Sequence, residues 1–179
     1  TFAETGRRVG LKVTSVTHYF RRRDELAAAC FDQALDRLTG LLAHAEREPE
    51  PHLRIRSFIQ QHIEVTRAAR IGEARPIPTL SGINTLEPSL RDRLVAQYRA
   101  FFRRVRSMFG ETAEFDKNMQ TARTHVLLEV MFWLPHALRS YEPEDFTRVG
   151  DHVFRILNGG LAAQGAPWDP IVFPLTMPV

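Results

Sequence analysis

Cysteine is nearly absent from this chain of 179 residues. Its one thiol, Cys30, excludes an internal disulfide framework and leaves no cysteine-based metal site. Long hydrophobic runs are missing as well. The longest, Val126 to Leu134, is interrupted by Glu129 and falls far short of the ~20 apolar residues that a membrane-spanning helix requires. No signal peptide opens the sequence, so we expect a cytoplasmic protein that does not contact a membrane. Alternating apolar and polar residues, the mark of a half-buried strand, do not occur. Catalytic signatures are wanting too. There is no glycine-rich phosphate loop, no His-Glu-x-x-His pattern, and no motif pointing to a Ser-His-Asp or Cys-His set. These absences predict a chain that is not an enzyme and carries no cofactor and no metal.

What is present suffices for a folded domain. Hydrophobic residues make up 44% of the chain, enough for a packed core. Net charge is +3, but it is unevenly spread. Residues 1–23 hold six basic side chains (Arg7, Arg8, Lys12, Arg21, Arg22, Arg23) against the single acid Glu4. The other 18 basic and 20 acidic residues nearly cancel. A small basic head on a near-neutral body is the electrostatic footprint of a nucleic-acid reader.

Helical spacing recurs along the chain and predicts an all-α fold. Thr1 and Glu4 fit a capping box ahead of a helix over Phe2 to Val9. Gly10-Leu11-Lys12 supplies a turn, and a short helix runs from Val13 to Tyr19. Asp24 and Glu25 place negative charge in the first turn of a long helix reaching about Glu46, stopped by Pro49 and Pro51. A helix over about 52–69 follows. Pro76, Pro78, Gly82 and Pro88 then interrupt regular structure, allowing at most a short helix around Thr79 to Asn84. Three more helices are expected: from about Ser89 to Gly110, Asp116 to Ser140 and Pro143 to Leu161. The tail after Gly159-Gly160 reads as an extended strap.

The short helix is unusually polar, with Thr14, Ser15, Thr17 and His18 and little apolar face. Helix, glycine turn and short helix form the helix-turn-helix arrangement, whose second helix lies in the DNA major groove. Small hydroxyl side chains allow close approach, exchange hydrogen bonds with base edges and offer a methyl group to thymine. Val16 and Phe20 are expected to face inward. The flanking arginines suit phosphates, which supply affinity but little sequence information.

The stretch "RRVGLKVTSVTHYFRRRDELAAACF" resembles the DNA-binding segment of the tetracycline-repressor (TetR) family of transcriptional regulators. The likeness rests on Gly10-Leu11, the pair Tyr19-Phe20, Arg21, Arg23 and Asp24-Glu25-Leu26. It implies a homodimer that binds operator DNA, with residues 1–23 as the reading head and residues 24–179 as a helical ligand-binding and dimerisation body. By position, Val13, Thr14, Ser15 and His18 would face bases or the groove floor. Lys12, Thr17, Tyr19, Arg21 and Arg23 would face phosphates, with the direction of Arg22 left open. Family members carry a further helix before the motif. This sequence opens on the first motif helix, so the head is expected to be incomplete as given, the missing helix preceding Thr1. Thr5, Gly6, Lys12 and Thr17 also depart from the usual pattern.

In the body, Phe58, His62, Tyr98, Phe101, Phe102, His125, Glu129, Phe132 and Trp133 are candidates for an apolar ligand cavity. The family's closing helices usually form a four-helix dimer interface, which implies roles there for Val130, Leu134, Leu138, Val149, Val153, Phe154 and Leu157. The helix near Val126 to Leu138 is apolar nearly all round, so it should be enclosed on most sides, either at the centre of the body or in a subunit interface. On it, His125, Glu129 and His136 form a polar stripe that is expected to need partners. The overall expectation is a repressor released from its operator by a small, largely apolar effector. The alternative is a helical small-molecule-binding or protein-interaction domain without specific DNA binding.

Overall fold

A computed structural model describes residues 3, 4, 7, 10, 12–80, 82–110 and 116–162, with the side chains of 13, 16 and 159–162 set aside. The described residues hold six α-helices and no strand. They are α1 (Val13–Tyr19), α2 (Arg23–Ala45), α3 (Pro51–Arg70), α4 (Pro88–Ser107), α5 (Lys117–Ala137) and α6 (Phe146–Ala162). Most of the expected helix before Gly10, the Thr1 cap, the inward direction of Val16 and the C-terminal strap lie outside the described residues.

Local chemistry explains the helix starts. Proline opens α3 and α4 at their first turn, where its missing N–H costs nothing. Asp116 caps α5 by accepting from the Met119 N–H at 2.8 Å. Gly10 sits at φ +68°, a left-handed conformation that glycine adopts without strain, and it ends the segment before α1.

Helices α2, α3, α4 and α5 enclose the core, and α6 covers the far side of α3. Phe58, Leu38, Leu42, Ile59, Leu94, Leu127 and Met131 are fully buried there. Each such side chain contributes roughly 1.5–3 kcal/mol of hydrophobic stabilisation. Two ion pairs brace α2 against α4: Arg93 grips Asp32 through two bonds of 2.8 Å, and Arg104 holds Glu46 at 2.7 and 3.1 Å.

The path of α6 differs from that of a helix laid along α5. It packs mainly on α3, with Asp151 accepting from Arg56 at 3.1 Å and from Gln60 at 3.0 Å. Gly150 makes this close approach possible, since a Cβ there would lie 2.2 Å from Cδ1 of the buried Ile63. Within one subunit α5 is enclosed on one side, which leaves the expected subunit interface open. Thr124, Leu127, Leu128, Met131 and Leu134 face the core, while Met119, Val126 and Trp133 are exposed on the other side.

Two boundaries also move. The short helix expected at Thr79 to Asn84 is a 3-10 turn at Ile83–Thr85. Helix α5 ends at Ala137 and tightens into a 3-10 turn at Leu138–Ser140, two residues after Pro135.

Candidate nucleic-acid interface and effector cleft

Helix α1 presents polar groups to solvent. Thr14, Thr17 and His18 are exposed, as is Lys12 just before the helix, and Ser15 is half-buried. Tyr19 is 77% exposed and its ring meets that of His18 edge-on at 5.3 Å. Thr17 donates its hydroxyl hydrogen to the Thr14 carbonyl at 3.2 Å. The side chain of Val13 lies outside the described residues. Phe20 is half-buried, which suits an anchor for the helix.

The three consecutive arginines divide by direction. Arg21 and Arg23 are exposed, and no described acid engages either guanidinium. Arg22 instead lies 3.4 Å from Glu25 and 3.9 Å from Glu87, so it belongs to the junction between the starts of α2 and α4. Glu25 secures the start of α2 by accepting the Arg21 N–H at 2.8 Å and the Arg22 N–H at 3.2 Å. The bond from Arg22, then that from Arg21, holds the Glu25 carboxyl below its ordinary pKa.

Glu87 is the second half of that junction. Its N–H donates to Asp24 at 3.1 Å, and its carboxylate accepts from the Ser89 hydroxyl at 2.6 Å at the start of α4. The segment leading to Glu87 also leans on α2, since a Cβ at Gly82 would lie 4.0 Å from the Phe31 ring. At its upstream end, the carbonyls of Arg75 and Pro76 accept from Arg37 of α2 at 2.7 and 3.0 Å.

This same segment forms one wall of an open cleft of about 550 Å³. Thr79, Leu80, Ile83 and Asn84 make that wall; Val95 and Tyr98 of α4 and Glu129, Phe132 and Trp133 of α5 complete it. The volume and the mostly apolar lining suit a small-molecule site. Tyr98 is half-buried, and burial first, then the negative charge of Glu129, holds its phenol above the ordinary value. Four of the residues expected to line a ligand cavity therefore meet here: Tyr98, Glu129, Phe132 and Trp133. The loop residues went unnoticed in the sequence because they follow no helical period.

The other five candidates lie elsewhere. Phe58 and Phe101 are buried in the core, with their rings 6.4 Å apart. Phe102 stacks at 4.7 Å on the exposed His125, outside the cleft lining. His62 is 3% exposed, and neither ring nitrogen meets a hydrogen-bond partner. Burial pushes its pKa down to about 4, opposed by the nearby Met131 carbonyl and aided by the charge of Arg37. That carbonyl receives no helical N–H from position 135, which is a proline. His125, Glu129 and His136 of the polar stripe are all exposed within one subunit, open to a ligand or to a second copy. No group of three or more His, Cys, Asp or Glu among the described residues is arranged to hold a metal ion.

Of the residues proposed for a subunit interface, Leu134, Leu138 and Leu157 are enclosed by the chain's own helices. Val130, Val149, Val153 and Phe154 are half-buried against the core. The exposed large apolar side chains of this face are Met119, Val126 and Trp133 on α5 and Ile156 on α6.

No family model matches the sequence, and no curated protein does. The structure, by contrast, has the same fold as several solved ones. It aligns with the TetR-family regulator PfmR from Thermus thermophilus at a TM-score of 0.67 and 17% identity, over 88% of this chain and 83% of that one. AibR, whose crystal structure is a complex with isovaleryl coenzyme A and operator DNA, aligns at 0.69 and 14%, over 87% and 85%. A TetR-family regulator from Bordetella parapertussis aligns at 0.69 and 15%, over 93% and 88%. The chain has the all-α fold of TetR-family transcriptional regulators. Among the described residues, no helix is long and apolar enough to cross a membrane.

Proposed function

We propose that this protein is a cytoplasmic, ligand-responsive transcriptional repressor of the TetR family, with residues 1–23 as its DNA-reading head and 24–179 as its body. One observation carries the reading. A solvent-facing helix bearing Thr14, Ser15 and His18 is flanked by Arg21 and Arg23, which no described acid engages, on a fold shared with TetR-family regulators. Thr14, Ser15 and His18, together with Val13, read base edges, while Lys12, Thr17, Tyr19, Arg21 and Arg23 hold phosphates. The effector occupies the cleft beside Tyr98 and Phe132. Its pressure on the 79–84 wall reaches the head through Glu87, which is bonded to Asp24 and lies beside Arg22. The start of α2 then moves, and the spacing of two heads no longer matches one turn of DNA, about 34–36 Å.

Titrating the full-length protein against DNA from upstream of its own gene, across a salt series with competitor DNA, tests the proposal. We expect binding that survives competitor and weakens steeply with salt. Binding that competitor abolishes would favour the alternative of a helical binding domain without specific DNA recognition.

Two heads require two subunits. Met119 and Val126 lie seven residues apart on an exposed apolar face of α5 that a second copy would cover. Val126→Glu should therefore convert a dimer to a monomer in sedimentation velocity while leaving the helical circular dichroism unchanged. A Val126→Glu protein that stays dimeric would assign the interface to another face.

A further inference from the structure

The effector cleft has a charge character that its mostly apolar lining obscures. Three aromatic rings border it: Tyr98 from α4, and Phe132 and Trp133 from α5. Glu129 is the one charged residue among those that line it, and none of them is basic. The nearest arginines on α4 do not change this. Arg91 is engaged with Asp92 at 3.1 Å, and Arg99 is exposed and outside the lining. His125, one turn before Glu129, stacks on Phe102 instead.

We propose that the cleft is built for an apolar organic cation, held by the faces of Tyr98, Phe132 and Trp133 and by the Glu129 carboxylate. Aromatic faces carry negative potential and attract cations, most strongly where water is partly excluded. A carboxylate beside them adds Coulomb attraction, weakened by solvent because Glu129 is exposed. The same groups repel an anion, because the cleft offers no donor of positive charge to a carboxylate or phosphate. An acyl-coenzyme A, the ligand of AibR, would bring several negative charges to a site that holds one already. The proposal rests on the cleft being the effector site, and it specifies the class of effector.

Tetraphenylphosphonium and tetraphenylborate test it directly, since they share shape and greasiness and differ in the sign of charge. Calorimetric titration of the full-length protein should show the phosphonium binding at least about tenfold more tightly than the borate. Glu129→Gln should weaken the phosphonium about fivefold and leave the borate no weaker, and Trp133→Ala should weaken the phosphonium too. Both positions are exposed, so neither variant threatens the core. Borate binding as tight as phosphonium binding would overturn the cationic class and leave the cleft standing as a ligand site. Phosphonium affinity unchanged by both substitutions would place the cation elsewhere and overturn the proposal. Failure of both ions and of neutral 1-naphthol to bind would remove the cleft as an effector site altogether.

Discussion

Replacing Arg21 and Arg23 together by glutamate should weaken operator binding by the full-length protein on the order of a hundredfold near physiological salt. Each arginine that neutralises a phosphate releases a counterion, so removing one such arginine lowers the slope of log K against log salt by about one. In the proposed dimer, two reversals in each head would take away four phosphate partners and add four repulsive charges. Folding should be untouched, because both side chains are exposed and no described acid engages them. Arg22 provides the internal control. It lies against Glu25 and Glu87, so Arg22→Ala should change the salt slope little and disturb the junction between the starts of α2 and α4 instead. Measuring anisotropy of labelled operator from low to high salt for the three proteins decides the matter. Equal slopes for the double reversal and the wild type would remove these arginines from the DNA interface.

His62 is expected to make the body acid-sensitive. The imidazole lies in the core, where the Met131 carbonyl is near it but neither ring nitrogen makes a well-formed hydrogen bond, and burial lowers its pKa from 6.5 to about 4. Above pH 6.5 the ring is neutral in both folded and unfolded states, and stability does not change through this group. As pH falls from 6.5 towards 4, the unfolded chain takes up a proton that the folded core refuses. Stability therefore drops by about 1.4 kcal/mol per pH unit, approaching roughly 3 kcal/mol by pH 4. His62→Leu keeps a similar volume and cannot titrate. Urea unfolding of the two proteins from pH 7.5 to 4 should give curves that are parallel above pH 6.5 and diverge below it, with the variant relatively more stable in acid. Subtracting the curves removes the carboxylates common to both, Glu25, Glu64 and Glu87 among them, whose pKa values are also lowered. Curves that stay parallel down to pH 4 would mean that the ring reaches a partner or water on protonation.

Much of this was legible in the residues because it depends on near neighbours in the chain. The 3.6-residue period, the proline and acidic helix starts and the glycine turn placed α1 to α6 within a few residues of their observed ends. The short helix was legible for the same reason: Val13–Tyr19 follows the turn at Gly10 and ends just before three arginines.

Pocket and interface depend instead on distances between elements that no local pattern encodes. A period of 3.6 says that Phe58, Tyr98 and Phe132 face inward, yet only packing assigns Phe58 to the core and Tyr98 and Phe132 to a cleft. Thr79 and Asn84 join that cleft from a loop without periodicity, held over α2 by the two bonds from Arg37. The clearest case is α5, which is apolar nearly all round by sequence but enclosed on one side only. Helix α6 settles onto α3, with Gly150 close against Ile63, and the outer face of α5 with Val126 and Trp133 is left exposed. The sequence by itself therefore determined which segments are helices. Only the tertiary structure decided which apolar residues each helix spends on its own core and which it leaves exposed, because that depends on close fits between helices far apart in the chain.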